Sequence, residues 1–426
     1  MSTLSNDPNA DRLAEAERRY RQLHPKSQAA GAELIRALPG GDTRTTTWYP
    51  PFPLVIERAS GASMWDADGN EVLDFIGNYT ALIHGHIPDF VVDAITAELP
   101  RGFIFAAPMR EHGTLASEIT TRVHSVDLVR FTNSGTEANL LAGRLARAAT
   151  GRRTLAVAEH SYHGSWEDVD WKAAGSTGTA VFPINDIPRA TAVLDAAGPI
   201  AGIFIEPVLG SGGVIPVAPE FLHFLDEYAR NTGALLVFDE VMTFRLGYGG
   251  MQGRLGISPS LTSFGKLIGG GLPIGAVGGR REIMECSDPR RSGSLAHGGT
   301  FNGHRLAMVG GVATLNALDG AEIDRINGLG EVLAQGIREI ATRLDAPVSV
   351  TGCGSMLNLH SAPDVRTPTQ AYDAAHSPLA RAIHLELINE GVFMAARGEL
   401  CISTAMDAGS IERAGVAVEK TLKRMF

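Results

Sequence analysis

The chain has 426 residues, 44% of them hydrophobic and 20% charged, and carries a formal net charge of −10. Such a length predicts two or three domains around a large core, and the acidic balance excludes the basic surface that nucleic acid requires. Three scattered cysteines, Cys286, Cys353 and Cys401, exclude a disulfide framework or a zinc-cysteine site. No run reaches the ~20 apolar residues of a membrane span. The polar N-terminal stretch carries no signal peptide, so a reducing cytoplasm is the expected compartment.

In chain order, Leu13, Ala16, Tyr20 and Leu23 recur at helical spacing and predict a helix over 11–24. A second helix is predicted over 28–38, stopped by Pro39-Gly40-Gly41. Trp65-Asp66-Ala67-Asp68-Gly69-Asn70 reads as a hairpin turn between two apolar runs. His84-Gly85-His86 lacks a third ligand nearby and reads as a turn, so no metal is expected. Beyond residue 85, short apolar runs at 128–131, 154–158, 201–205 and 234–238 alternate with helical stretches such as 137–149 and 219–231. That alternation predicts an α/β fold with a mainly parallel sheet flanked by helices. Helices over 322–344, 377–390 and 410–424, with strand-like residues 348–360, predict a smaller α+β domain.

Four segments carry chemistry. Thr132-Asn133-Ser134-Gly135-Thr136-Glu137 turns from a strand into a helix; it is either an anion site at a helix N-terminus or an ordinary cap. Ala234-Leu235-Leu236-Val237-Phe238-Asp239 ends an apolar strand on a carboxylate, which could hold a proton on a ring nitrogen or simply cap the next turn. Phe264-Gly265-Lys266-Leu267-Ile268-Gly269-Gly270-Gly271 sets one lysine among apolar and glycine residues, where desolvation would free the amine for Schiff-base chemistry. A lysine on a flexible surface loop is the alternative there. Tyr162-His163-Gly164 places an aromatic just past a strand, either to stack on a flat ring or to fill the core.

In order and spacing these segments resemble the class III aminotransferases, pyridoxal-5′-phosphate (PLP) enzymes of fold type I. The resemblance runs from about residue 35 to 425. It rests on Ser134-Gly135-Thr136-Glu137-Ala138, Tyr162-His163-Gly164, Ile205-Glu206-Pro207, Asp239-Glu240-Val241-Met242, Gly265-Lys266 and Gly299-Thr300-Phe301-Asn302-Gly303, with 27 positions from Asp239 to Lys266. It implies Lys266 as the Schiff-base lysine and proton carrier, and Asp239 as the partner of the pyridine nitrogen. Val241 and Tyr162 would lie on the two ring faces, and Ser134, Gly135 and Thr136 on the phosphate. Glu206 would be a supporting carboxylate. Thr300 would reach the phosphate of the other subunit, which makes a homodimer the expected unit. The implied layout is an N-terminal segment of the small domain over 1–75, a large PLP domain over 76–315 and a C-terminal small domain over 316–426.

Within the class the chain resembles both glutamate-1-semialdehyde aminomutases and β-amino acid aminotransferases. Arg44 and Arg397 match the carboxylate-binding arginines of the second group, and guanidinium forks suit carboxylates. Glu399 fits the aminomutase pattern poorly, and Thr243-Phe244-Arg245 departs from the Gly-Phe-Arg usual in the class. The expectation is a ping-pong transfer from a β-amino acid to a keto acid such as 2-oxoglutarate or pyruvate. The alternatives are an aminomutase that needs no acceptor and a non-catalytic binding protein on the same fold.

Overall fold

Every residue of the strands Ile200–Ile205, Leu235–Asp239, Leu261–Gly265 and Gly275–Gly279 is buried, the mark of a sheet covered on both faces. In the computed structural model, which describes residues 8–426, these belong to a seven-stranded sheet. Its order is Leu128–Thr132, Gly275–Gly279, Leu261–Gly265, Leu235–Asp239, Ile200–Ile205, Thr154–Ala158, Ala180–Phe182. Neighbours pair in parallel except around Gly275–Gly279, which runs antiparallel to both of its partners.

Side chains alternate across the pleat, so each strand feeds two cores. Ala156, Ala158, Ile203, Ile205, Leu236 and Phe238 face one way and meet Leu194, Phe221, Leu222 and Leu225 of the helices Ile187–Ala196 and Pro219–Thr232. Leu155, Val157, Phe204, Leu235 and Val237 face the other way and meet Leu141, Leu145 and Ala146 of the helix Gly135–Thr150. The strands and helices expected from the alternating pattern are therefore present, and the sheet is mixed but mostly parallel. This compact unit comprises Tyr79–Leu82 and Asp89–Asp324.

The second unit draws on both ends of the chain: Met1–Asn78, Ile83–Pro88 and Arg325–Phe426. The hairpin is present, with Ser63–Asp66 antiparallel to Glu71–Asp74. A four-stranded sheet is completed by Ile56–Ser60 on one side and Val392–Phe393 on the other. The N-terminal helix Pro8–Leu23 lies on Pro378–Asn389. Arg19 pairs with Glu386 and, at 3.1 Å, with Glu390, while Arg381 holds Glu17 at 3.0 Å. Arg424, from the helix Ala408–Met425, joins the same two glutamates at 3.2 and 2.7 Å.

The second helix begins at Pro25 and ends at Leu34, three residues earlier at the start and four at the end than its sequence suggests. Its cap comes from far away: the Asp68 carboxylate, in the hairpin turn, accepts the N–H groups of Lys26 at 2.9 Å and Ser27 at 3.0 Å. His84 and His86 serve separate partners. His84 Nδ1 lies 2.8 Å from Thr404 Oγ1, and His86 Nε2 lies 2.8 Å from Asp74 Oδ2. Gly85 between them is left-handed, with φ +73°. None of the three cysteines is in a disulfide. Among the described residues no helix is long and apolar enough to cross a membrane.

His384 is buried in the second unit with its ring edge-on to Tyr49, centroids 4.5 Å apart, and neither ring nitrogen meets a hydrogen-bond partner among the described residues. Burial holds its pKa down at about 3, against an ordinary 6.5. The unfolded chain therefore takes up a proton below 6.5 that the folded chain refuses until about 3. Across that window wild type should lose about 1.4 kcal/mol of stability per pH unit relative to His384→Leu. Denaturant unfolding of both proteins at pH 7, 6, 5 and 4 checks this; parallel curves would show that the ring is not kept neutral.

Candidate active site

The carboxyl ends of parallel strands gather ligand sites in open α/β sheets, and in the larger unit five of the chemical residues stand there. Asp239 ends the strand Leu235–Asp239 and is 3% exposed. Its Oδ2 accepts Asn139 Nδ2 at 2.7 Å and faces His163 Nδ1 at 2.8 Å, while its Oδ1 accepts the Val241 N–H at 3.0 Å. Asn139 also donates to the His163 carbonyl at 3.1 Å, so helix and turn are tied to the carboxylate together. These donors orient a group that burial would otherwise leave unsolvated.

The turn after Thr154–Ala158 carries Tyr162, His163 and Gly164. Glu206 accepts the Tyr162 N–H at 2.9 Å and the Gly210 N–H at 3.0 Å. Burial pushes the Glu206 carboxyl up to about 7, opposed by His163 and reinforced by the charge of Asp239. Tyr162 is 48% exposed, which excludes the core-tyrosine reading.

Ser134 caps the helix Gly135–Thr150, its hydroxyl accepting the Glu137 N–H at 3.1 Å. The cap reading is thus correct, and it leaves the first N–H groups of a sixteen-residue helix directed at the turn, as anion binding needs. A Cβ placed on Gly135 would lie 3.0 Å from both Val241 methyls, and one on Gly265 would lie 3.3 Å from Val241 Cγ1. A Cβ on Gly164 would collide with Thr136. Close approach therefore draws the helix start, Val241, Thr136 and the Gly265-Lys266 strand end into one cradle. Lys266 is half-buried and left-handed, φ +51°, before the buried Leu267, Ile268 and Gly269. A non-glycine residue in that region stores strain, commonly at functional positions.

Thr300 is exposed, on a segment anchored at its far end. Asn133 Nδ2 donates to Asn302 Oδ1 at 2.8 Å, and His112 Nε2 lies 2.8 Å from the Gly303 carbonyl. A half-buried lysine and a buried carboxylate at the ends of adjacent parallel strands, a helix N-terminus and an exposed aromatic are groups that could hold the amine-reactive carbon, ring nitrogen, phosphate and ring face of PLP.

The two arginines belong to the other unit. Arg44 is exposed and donates to Asn78 Oδ1 at 2.9 Å. Asn78 sits in a complete left-handed turn, with φ of +52°, +50°, +57° and +73° at Gly77, Asn78, Tyr79 and Thr80. Arg397 is half-buried and paired with the fully buried Glu399. Sequence reasoning missed Asn139, the contact of His163 with Asp239, and Glu240. The last is fully buried and accepts the N–H groups of Met251 at 3.0 Å and Gln252 at 2.8 Å and the Thr243 hydroxyl at 2.7 Å. One signal was readable: Asn139 lies four residues after Gly135, on the same helix face.

The family model "aminotransferase class-III" matches residues 45–169 and 185–410. The β-phenylalanine transaminase of Variovorax paradoxus is 38% identical over 95% of this chain and 94% of its own length. Glutamate-1-semialdehyde 2,1-aminomutase 1 of Macrococcus caseolyticus is 36% identical over 87% of this chain and 92% of its own. A solved transaminase with PLP bound superposes with TM-score 0.87 at 32% identity, covering 94% of this chain and 98% of that one. The chain belongs to the class III aminotransferases and is a PLP-dependent enzyme that transfers amino groups of small molecules.

Proposed function

We propose that the enzyme carries the amino group of a β-amino acid to 2-oxoglutarate or pyruvate in a ping-pong cycle, working as a cytoplasmic homodimer. The observation that carries this reading is the pair of arginines on separate segments, Arg44 beside Asn78 and Arg397 beside Glu399. A β-amino acid and an α-keto acid hold their carboxylates at different distances from the reacting carbon. Two guanidinium forks can serve both where one fixed fork serves one. Likeness to a β-phenylalanine transaminase supports the donor. Exposed apolar residues of the larger unit, Phe103, Phe105 and the 60% exposed Phe301, support a partner subunit over the Thr300 segment.

PLP, when bound, supplies an electron-withdrawing ring that stabilises negative charge on the amine-bearing carbon. In this proposal Lys266 anchors the cofactor and then takes and returns the proton at that carbon. Asp239, fixed by Asn139, His163 and the Val241 N–H, keeps a proton on the ring nitrogen. Gly135 and Thr136 give backbone N–H groups to the phosphate, with Ser134 at the cap and Thr300 reaching in from the partner. Val241 and Tyr162 cover the two ring faces, and Glu206 holds the Tyr162 backbone.

The aminomutase alternative is kept open by relatives of that name at 35–36% identity. It needs no acceptor. Turnover of a β-amino acid that stops when keto acid is withheld supports transamination; amino transfer within glutamate-1-semialdehyde, with no acceptor present, overturns it.

Lys266→Ala should remain folded and lose turnover. Borohydride reduction of the native enzyme followed by peptide mapping should place the pyridoxyl group on Lys266, and its recovery on another lysine would refute the assignment. Asp239→Asn should keep PLP, seen as visible absorbance, while kcat falls roughly a hundredfold or more, because an amide cannot balance a pyridinium charge. Near-normal turnover would reduce Asp239 to a strand-end cap. Arg44→Ala and Arg397→Ala should divide the two half-reactions, one raising KM for the donor and the other for the acceptor. Loss of roughly 1–3 kcal/mol, about 5- to 150-fold in KM, is expected for each. Unchanged KM values for every donor and acceptor in both variants would remove the β-amino acid reading.

A further inference from the structure

Arg397 lies in the turn that leads into the strand Glu399–Cys401, two residues before Glu399, which opens it. The turn that presents them is fixed from below. Asn358, in register with Glu399 on the neighbouring strand Met356–His360, donates its Nδ2 to the Arg397 carbonyl at 3.2 Å. Gly398 between the two charges is left-handed, φ +100°, and a Cβ there would collide with the Leu359 carbonyl. The glutamate is fully buried, its Oε2 meets Arg397 Nη2, and its Oε1 lies 3.8 Å from the Cys401 thiol. The arginine side chain is 26% exposed, so it lies against a buried anion and still reaches the surface of the unit.

This arrangement has an electrostatic consequence. A free arginine attracts a carboxylate with its whole charge. Here an internal carboxylate already shares that charge at contact distance, in surroundings where Coulomb interactions are stronger than in water. A second carboxylate on Arg397 meets both the guanidinium and, just behind it, Glu399. We propose that Glu399 is a specificity-determining counter-ion, which fixes the direction of Arg397 and lowers its affinity for the carboxylate of the substrate it holds. This rests on the reading of Arg397 as a carboxylate contact. Glu399 is thus a positioning residue, and it lets carboxylate ligands leave a pocket that an uncompensated arginine would retain.

The test uses the PLP-loaded enzyme and two carboxylates that cannot react, 3-phenylpropanoate and glutarate, with binding followed by calorimetry and by competitive inhibition. Glu399→Gln keeps an oxygen acceptor for the guanidinium and removes the charge. It should bind whichever carboxylate Arg397 holds about tenfold tighter, with a steeper loss of affinity on adding salt. The gain should vanish in Arg397→Ala/Glu399→Gln. Glu399→Met, which removes charge and acceptor together, should gain less and serves if the glutamine variant does not fold. A merely structural glutamate would not raise affinity when replaced. Equal or weaker binding in both Glu399 variants, with Arg397→Ala still impaired, would overturn the counter-ion role. Unimpaired binding in Arg397→Ala would overturn the arginine reading itself.

Discussion

The site depends on keeping one negative charge at the end of an apolar strand. Leu235–Asp239 is buried throughout, and an ionised carboxylate there loses its water, a penalty of several kcal/mol unless donors replace it. Asn139 brings the helix Gly135–Thr150, His163 brings the turn after Thr154–Ala158, and the Val241 N–H brings the chain that follows. Satisfying one carboxylate therefore positions three segments. Two of them end in groups suited to the cofactor: the helix N-terminus and Tyr162. Glycines at 135, 164 and 265 let these pieces touch where any side chain would hold them apart.

Glu240, next in sequence, does similar work in a different direction. Its buried carboxylate collects the Thr243 hydroxyl and the N–H groups of Met251 and Gln252, and burial pushes its pKa up. One carboxylate faces the cradle and the other locks the chain leaving it. In the proposed reading the motif Asp239-Glu240-Val241 would pack three separate jobs into consecutive residues, ring partner, loop clamp and ring-face contact, of which the clamp is formed by Glu240 with Thr243, Met251 and Gln252.

Much of this was legible because it is local. Asp239 and Lys266 stand out as polar residues in apolar or glycine-rich runs, and the alternating pattern of 154–158, 201–205 and 234–238 shows the sheet directly. What remained hidden depends on pairing across long separations or on backbone energy. The early start of the second helix follows from Asp68, some forty residues away. The left-handed turn at Gly77–Thr80 is announced only by Gly77-Asn78, since Tyr79 and Thr80 disfavour that region. Glu399 looked like a mismatch to one subfamily pattern until the strand put it beside Arg397.

The second unit is stitched from both ends of the chain: its N-terminal helix lies on Pro378–Asn389, with Arg19 and Arg424 sharing Glu386 and Glu390. On the ribosome this imposes an order. The larger unit draws on residues 79–324 and can complete itself once these have emerged. Ala16, by contrast, meets the helix Pro378–Asn389, which ends 65 residues after Asp324, roughly 3–13 s of further synthesis at usual rates. Throughout that interval the Pro8–Leu23 segment lacks its partner helix, and a segment of that length is marginal as a helix by itself. Premature release of the chain, or a stall before codon 378, would leave the buried positions of the first helix without the helix that covers them.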